Sequence, residues 1–124
     1  MSHAQYALIY ATLCGLPVIM HIGLIAGRAW GRYTMGGRYP GRLPARLRVA
    51  SGAQAAVLIA MAAVVLDRGG VIALPLPAPA FWVVLALTIV TNILNIITPS
   101  APERRLWGPV TTGMSAAILA LTLL

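Results

Sequence analysis

Residues 80–109 read AFWVVLALTIVTNILNIITPSAPERRLWGP. A long apolar run carrying Asn92 and Asn95 breaks at Thr98-Pro99-Ser100. It passes through the charged knot Glu103-Arg104-Arg105 and turns apolar again at Trp107-Gly108-Pro109. A chain does this when it leaves a bilayer, turns at the surface and goes back in.

The rest of the chain has the same character. It is 60% hydrophobic and 9% charged, with a mean hydropathy of +0.88. Soluble domains carry about 25% charged residues, so a chain this poor in charge reads as one solvated by lipid. A membrane helix needs roughly 20 apolar residues. Four such helices and short loops use the whole of residues 1–124 and leave no room for a separate soluble domain. The expected fold class is therefore all-α: a polytopic integral membrane protein with a four-transmembrane-helix bundle, its spans at about 6–27, 44–66, 80–98 and 107–124.

The boundaries carry their own signals. The first run ends at Gly27-Arg28, and no cleavage site follows it, so it reads as a retained span. Pro44 suits the first turn of the second helix, and Asp67-Arg68-Gly69-Gly70 closes that helix. The segment VIALPLPAP holds Pro75, Pro77 and Pro79, which excludes a helix there. An extended piece lying over the membrane face is expected instead, followed by Phe81-Trp82 as an interfacial anchor. Ser100 and Glu103, with Pro102 between them, fit a capping box. A short interfacial helix is expected there, kinked at Gly108-Pro109 into the fourth span.

The charge is lopsided, with nine basic residues, all arginine, against two acidic ones. A pI near 11.2 suits a nucleic-acid binder, but these arginines sit between apolar runs, where they act as orientation signals, so no nucleic-acid partner is expected. Arg28, Arg32, Arg38, Arg42, Arg46 and Arg48 gather around the first loop, with Arg104 and Arg105 in the third. The second loop has only Arg68, offset by Asp67. The positive-inside rule then places loops one and three in the cytoplasm and both termini outside. A bacterial inner (plasma) membrane is the expected setting, with anionic lipid headgroups as partners of the arginine face.

With that topology, the polar side chains within the spans fall at one depth. His21, Ser51, Gln54, Asn92, Asn95, Thr111, Thr112 and Ser115 all lie in the cytoplasmic half, while the outer half is nearly featureless. Thr88, Thr91, Asn92, Asn95 and Thr98 share one stripe of the third helix, and Tyr10, Cys14, Pro17 and His21 share one side of the first. Polar groups facing hydrocarbon are costly, so a polar patch or shallow cavity is expected. Its candidate ligand-binding residues are His21, Gln54, Asn92, Asn95 and Thr112. Plain interhelical hydrogen bonding by the asparagines and a packed histidine are the competing readings. Gly23-x-x-x-Gly27, Gly52/Ala56/Ala60 and Gly108/Thr112/Ala116/Ala120 mark possible close helix contacts.

Arg104, Arg105 and Trp107 form a candidate headgroup clamp at the interface, because arginine forks match phosphate. The plainer reading is a surface charge group that fixes topology. Catalysis finds little support. Asp67 and Glu103 lie on opposite faces, and Cys14 has no electropositive neighbour to activate it. One histidine with no carboxylate in the spans makes a poor metal site, so neither metal nor cofactor is expected. Two function classes follow. One is binding or moving a lipid-like or small amphipathic ligand through the polar patch, in a protein that could be a homo-oligomer. The other is a non-catalytic accessory or structural subunit of a larger membrane complex.

Overall fold

The computed structural model describes residues 1–124 and is all-helical. Helix α1 spans His3–Ile25, α2 Ala45–Arg68, α3 Ala80–Ile97 and α4 Ala101–Leu123. Each of the four is long and apolar enough to cross a membrane. Two 3-10 turns, Gly31–Tyr33 and Met35–Gly37, occupy the loop between α1 and α2.

The helix ends follow from local chemistry. Ser2 and Gln5 form a full capping box at the start of α1. That helix ends in a Schellman motif: the Arg28 N–H reaches Gly23 O, the Gly27 N–H reaches Leu24 O, and Gly27 takes φ +91°. Gly70, at φ +78°, closes α2 in the same way, with Val71 N–H on Leu66 O. Only glycine takes this left-handed turn without a Cβ penalty. The proline segment after α2 forms no regular secondary structure and is exposed throughout, and Asp67 Oδ1 fastens it by accepting from the Leu74 N–H at 2.9 Å.

The short interfacial helix expected before the fourth span is not seen as a separate element: one helix runs from Ala101 through Pro109 to Leu123. Its first two turns carry the charges and the later ones are apolar. The capping box is also only half formed. Ser100 Oγ accepts from the Glu103 N–H at 3.3 Å, but the Glu103 side chain turns away to the first loop.

Around the bundle the order is α2, α1, α4, α3. α1 packs against α2 and α4, α4 packs against α3, and α2 and α3 barely meet. The main core lies toward the proline-loop end, built from Ala7, Tyr10, Cys14, Met61, Val65, Phe81, Val84, Met114, Ala117, Ile118 and Leu121. A smaller core of Met20, Leu24, Leu43 and Trp107 lies toward the arginine end. The outward surface is apolar as well, with Ile19, Ile22, Val57, Ile59, Val90, Ile93 and Ile97 all more than half or about half exposed. Such a continuous apolar girdle would be a liability in water.

The glycine pair Gly23 and Gly27 is used differently from the expected helix contact. A Cβ on Gly23 would run into the Trp30 ring, so this gap seats a loop side chain rather than a neighbouring helix. Gly27 lies beyond the end of α1 and serves its cap.

Candidate functional site

The open arc of helices leaves a cleft between α2 and α3. At the proline-loop end the two helices are joined: Arg68 stacks over the rings of Phe81 at 4.4 Å and Trp82 at 5.6 Å. Val65, Phe81 and Val84 pack together below it. Toward the arginine end the gap holds a cleft of about 480 Å³, inside the usual range for small-molecule sites. Gln54, Leu58 and Met61 line it from α2, and Leu87, Thr91, Leu94 and Asn95 from α3. Pro17, Met20 and His21 of α1 and Trp107, Thr111 and Met114 of α4 form its back wall. Gln54, Val57, Leu87 and Leu94 are exposed at its rim, so it opens sideways, onto the apolar flank of the bundle.

The first loop closes the arginine end of this cleft. Three long-range hydrogen bonds hold it there. Ser100 Oγ donates to Arg32 O at 2.8 Å, Trp107 Nε1 donates to Tyr33 O at 2.9 Å, and the Gly36 N–H donates to Glu103 Oε2 at 3.0 Å. Thr34 and Met35, between these anchors, line the cleft together with Glu103.

The polar lining is uneven. His21, Asn95 and Glu103 lie near the arginine ends of their helices, among Met20, Met35, Leu94 and Trp107; Gln54 lies about midway, level with Leu87; Leu58, Met61 and Met114 lie beyond it. Thr88 also lines the apolar part, but its hydroxyl is already engaged, donating to Val84 O and bonded to the Tyr10 hydroxyl. At the polar end, by contrast, bonding capacity is spare. His21 is buried and its Nδ1 has no partner. The Asn95 amide donates to Thr91 O at 2.9 Å, which leaves its carbonyl oxygen open. Gln54 makes no hydrogen bond through its side chain.

Of the five expected ligand residues, three therefore meet in the cleft: His21, Gln54 and Asn95. Asn92 and Thr112 do not. Asn92 points to α4, where its Oδ1 accepts from Thr111 and Thr112, both at 3.0 Å. The single stripe read along α3 thus splits between two neighbours, Asn95 toward the cleft and Asn92 toward α4. The expected clamp also divides. Arg104 donates to Thr98 O at 2.7 Å and so ties down the C-terminus of α3. Arg105 is exposed, and Trp107 is buried in the back wall rather than riding at a surface.

Glu103, Thr34 and Met35 were not foreseen as site residues. Glu103 is separated by 67 positions from the Gly36 amide it binds, and no periodicity in either segment announces that contact. No family model, curated protein or solved structure matches the chain, so the geometry alone carries the functional argument.

Proposed function

We propose that the protein is an integral membrane protein that binds or moves a single-tailed amphipathic molecule, taken sideways from the bilayer between α2 and α3. The observation that carries this reading is a mostly apolar cleft, open sideways, with His21, Asn95 and Glu103 near its closed arginine end. A polar head fits there, with Gln54 farther along, and a tail fits along Leu58, Met61, Leu87 and Met114. Methionine suits such a wall, because its flexible, polarisable side chain adapts to varied apolar shapes. With the arginine-rich end in the cytoplasm, as the positive-inside rule favours for a bacterial inner membrane, the head sits in the inner leaflet. There the exposed arginines meet anionic lipid headgroups.

The test is saturable photo-cross-linking. A single-chain amphipath with a diazirine in its tail is added to the protein in nanodiscs, and the adducts are mapped by mass spectrometry. Adducts at Met61, Leu87 and Met114 that an unlabelled copy displaces support the reading. Adducts confined to the outward faces, at Ile19, Ile59 or Val90, overturn it.

The alternative is an accessory subunit of a larger membrane complex. It is favoured by one surface feature: Ala56 and Ala60 are exposed on α2 and leave a small-residue face open to a partner helix. Purification in mild detergent separates the two. A stoichiometric larger partner supports the subunit reading, and a monomer or homo-oligomer supports ligand binding by the chain itself.

A further inference from the structure

Resting on the amphipath-binding reading, we infer that the head recognised at the arginine end of the cleft is an ammonium group, with Glu103 as its counter-charge. Glu103 is 8% exposed and lines the cleft. It makes one hydrogen bond, from the Gly36 N–H to Oε2, and no ion pair. The arginines beside it in sequence are turned elsewhere. Arg104 is spent on Thr98 O, and Arg105 faces outward. Buried charged groups are as a rule paired, so a carboxylate left without a cation in a lined cleft marks a place for one.

The N-terminus of α4 offsets part of this charge, since a helix start carries about half a positive charge. The remainder is unmatched. The exposed arginines at this end act through water and salt, which screen charges over roughly 8 Å at physiological ionic strength. They do not replace a partner inside the cleft.

The other groups at this end fit the same head. The open carbonyl oxygen of Asn95, near the same end of the bundle, is an acceptor. An ammonium carries donors only, and the Glu103 carboxylate and Asn95 amide oxygens both accept. Trp107 adds an aromatic ring to the same wall, a surface that attracts cations. A phosphate or carboxylate head would instead face the Glu103 carboxylate without a cation to bridge them.

The test uses the full chain in nanodiscs of uncharged phosphatidylcholine, so that the bilayer does not concentrate either charge. Dodecylammonium, dodecanol and dodecyl phosphate, compared at matched mole fraction in the bilayer, compete for the diazirine cross-link. The expected result is displacement by dodecylammonium at least tenfold below the mole fraction the other two require. Glu103→Gln keeps an oxygen for the Gly36 N–H and removes the charge. It is expected to erase the preference for ammonium while dodecanol still competes, which shows that the variant is folded. Equal or better competition by dodecyl phosphate, or an ammonium preference that survives in Glu103→Gln, overturns the inference and leaves the cleft reading standing. If none of the three displaces the probe from wild-type protein, both fall together.

Discussion

The hydroxyls of Tyr10 and Thr88 meet at 2.7 Å in the buried middle of the bundle, 78 positions apart in sequence. Thr88 Oγ1 already gives its one hydrogen to Val84 O at 2.8 Å, so Tyr10 is the donor of this bond and Thr88 its acceptor. The bond ties α1 to α3 at the apolar end of the cleft.

The direction of that bond makes its two ends unequal. Thr88→Val leaves the Tyr10 hydroxyl buried without an acceptor, at a cost of about 1–3 kcal/mol. Tyr10→Phe removes only the donor and costs closer to ~0.6 kcal/mol, the mean for such contacts in membranes. The double variant is expected to be more stable than Thr88→Val alone. Reversible unfolding in mixed micelles measures all three, and equal losses for the two single variants would contradict the assigned direction.

Asn92 and Asn95 are expected to behave as different kinds of residue. Asn92→Leu removes an acceptor shared by Thr111 and Thr112. Thr111 keeps Trp107 O at 2.7 Å and Thr112 is exposed, so stability falls by only about 0.6 kcal/mol, the mean for such contacts in membranes. Binding of the cross-linking probe stays near wild type. Asn95→Leu leaves stability nearly unchanged and weakens probe capture severalfold. Matched melting and cross-linking experiments on both variants decide this, and the reverse pattern would remove Asn95 from the site.

Two glycines give opposite outcomes with the same substitution. A Cβ on Gly31 would run into the backbone carbonyls of Tyr39 and Gly41, which cannot move aside as a side chain can. Gly31→Ala is therefore expected to cost about 1–3 kcal/mol, as overpacking does, and to loosen the loop that closes the cleft. Gly15 has open space around the same position. Gly15→Ala is expected to be neutral or to stabilise α1 by up to about 1 kcal/mol. Thermal unfolding in detergent distinguishes the two, and a tolerated Gly31→Ala would show that the loop does not hold this packing.

Orientation is testable with introduced thiols. Cys14 is buried and its Sγ lies 3.3 Å from Leu58 O, so it is expected to stay unlabelled. In a Cys14→Ala background, Arg38→Cys should react with a membrane-impermeant maleimide only after the cells are opened, and Ala73→Cys in intact cells. The opposite order would invert the bundle and put the polar end of the cleft in the outer leaflet.

Much of the fold was legible because its signals are local. Each helix is long enough to be counted from hydropathy alone. Gly27 and Gly70 mark their helix ends because the left-handed turn is paid for at one residue. Pro75, Pro77 and Pro79, one at every second position, forbid a helix between α2 and α3. The interfacial helix is not seen as a separate element because α4 runs through Gly108-Pro109, where the missing Pro109 N–H costs one backbone hydrogen bond without ending the helix.

Which faces meet was not legible, because the helices are apolar on nearly every side. In a water-soluble bundle a helix announces its buried face by being apolar on one side only. Here the outward surface is as apolar as the core, so Ile19 facing out and Leu24 facing in look alike in sequence. Hydropathy by itself determined that the chain makes four long apolar helices. Only the packing of those helices decided that α2 and α3 stand apart, that Asn92 and Asn95 part company, and that Glu103 turns from its own helix cap to a cleft closed by a loop 67 positions away.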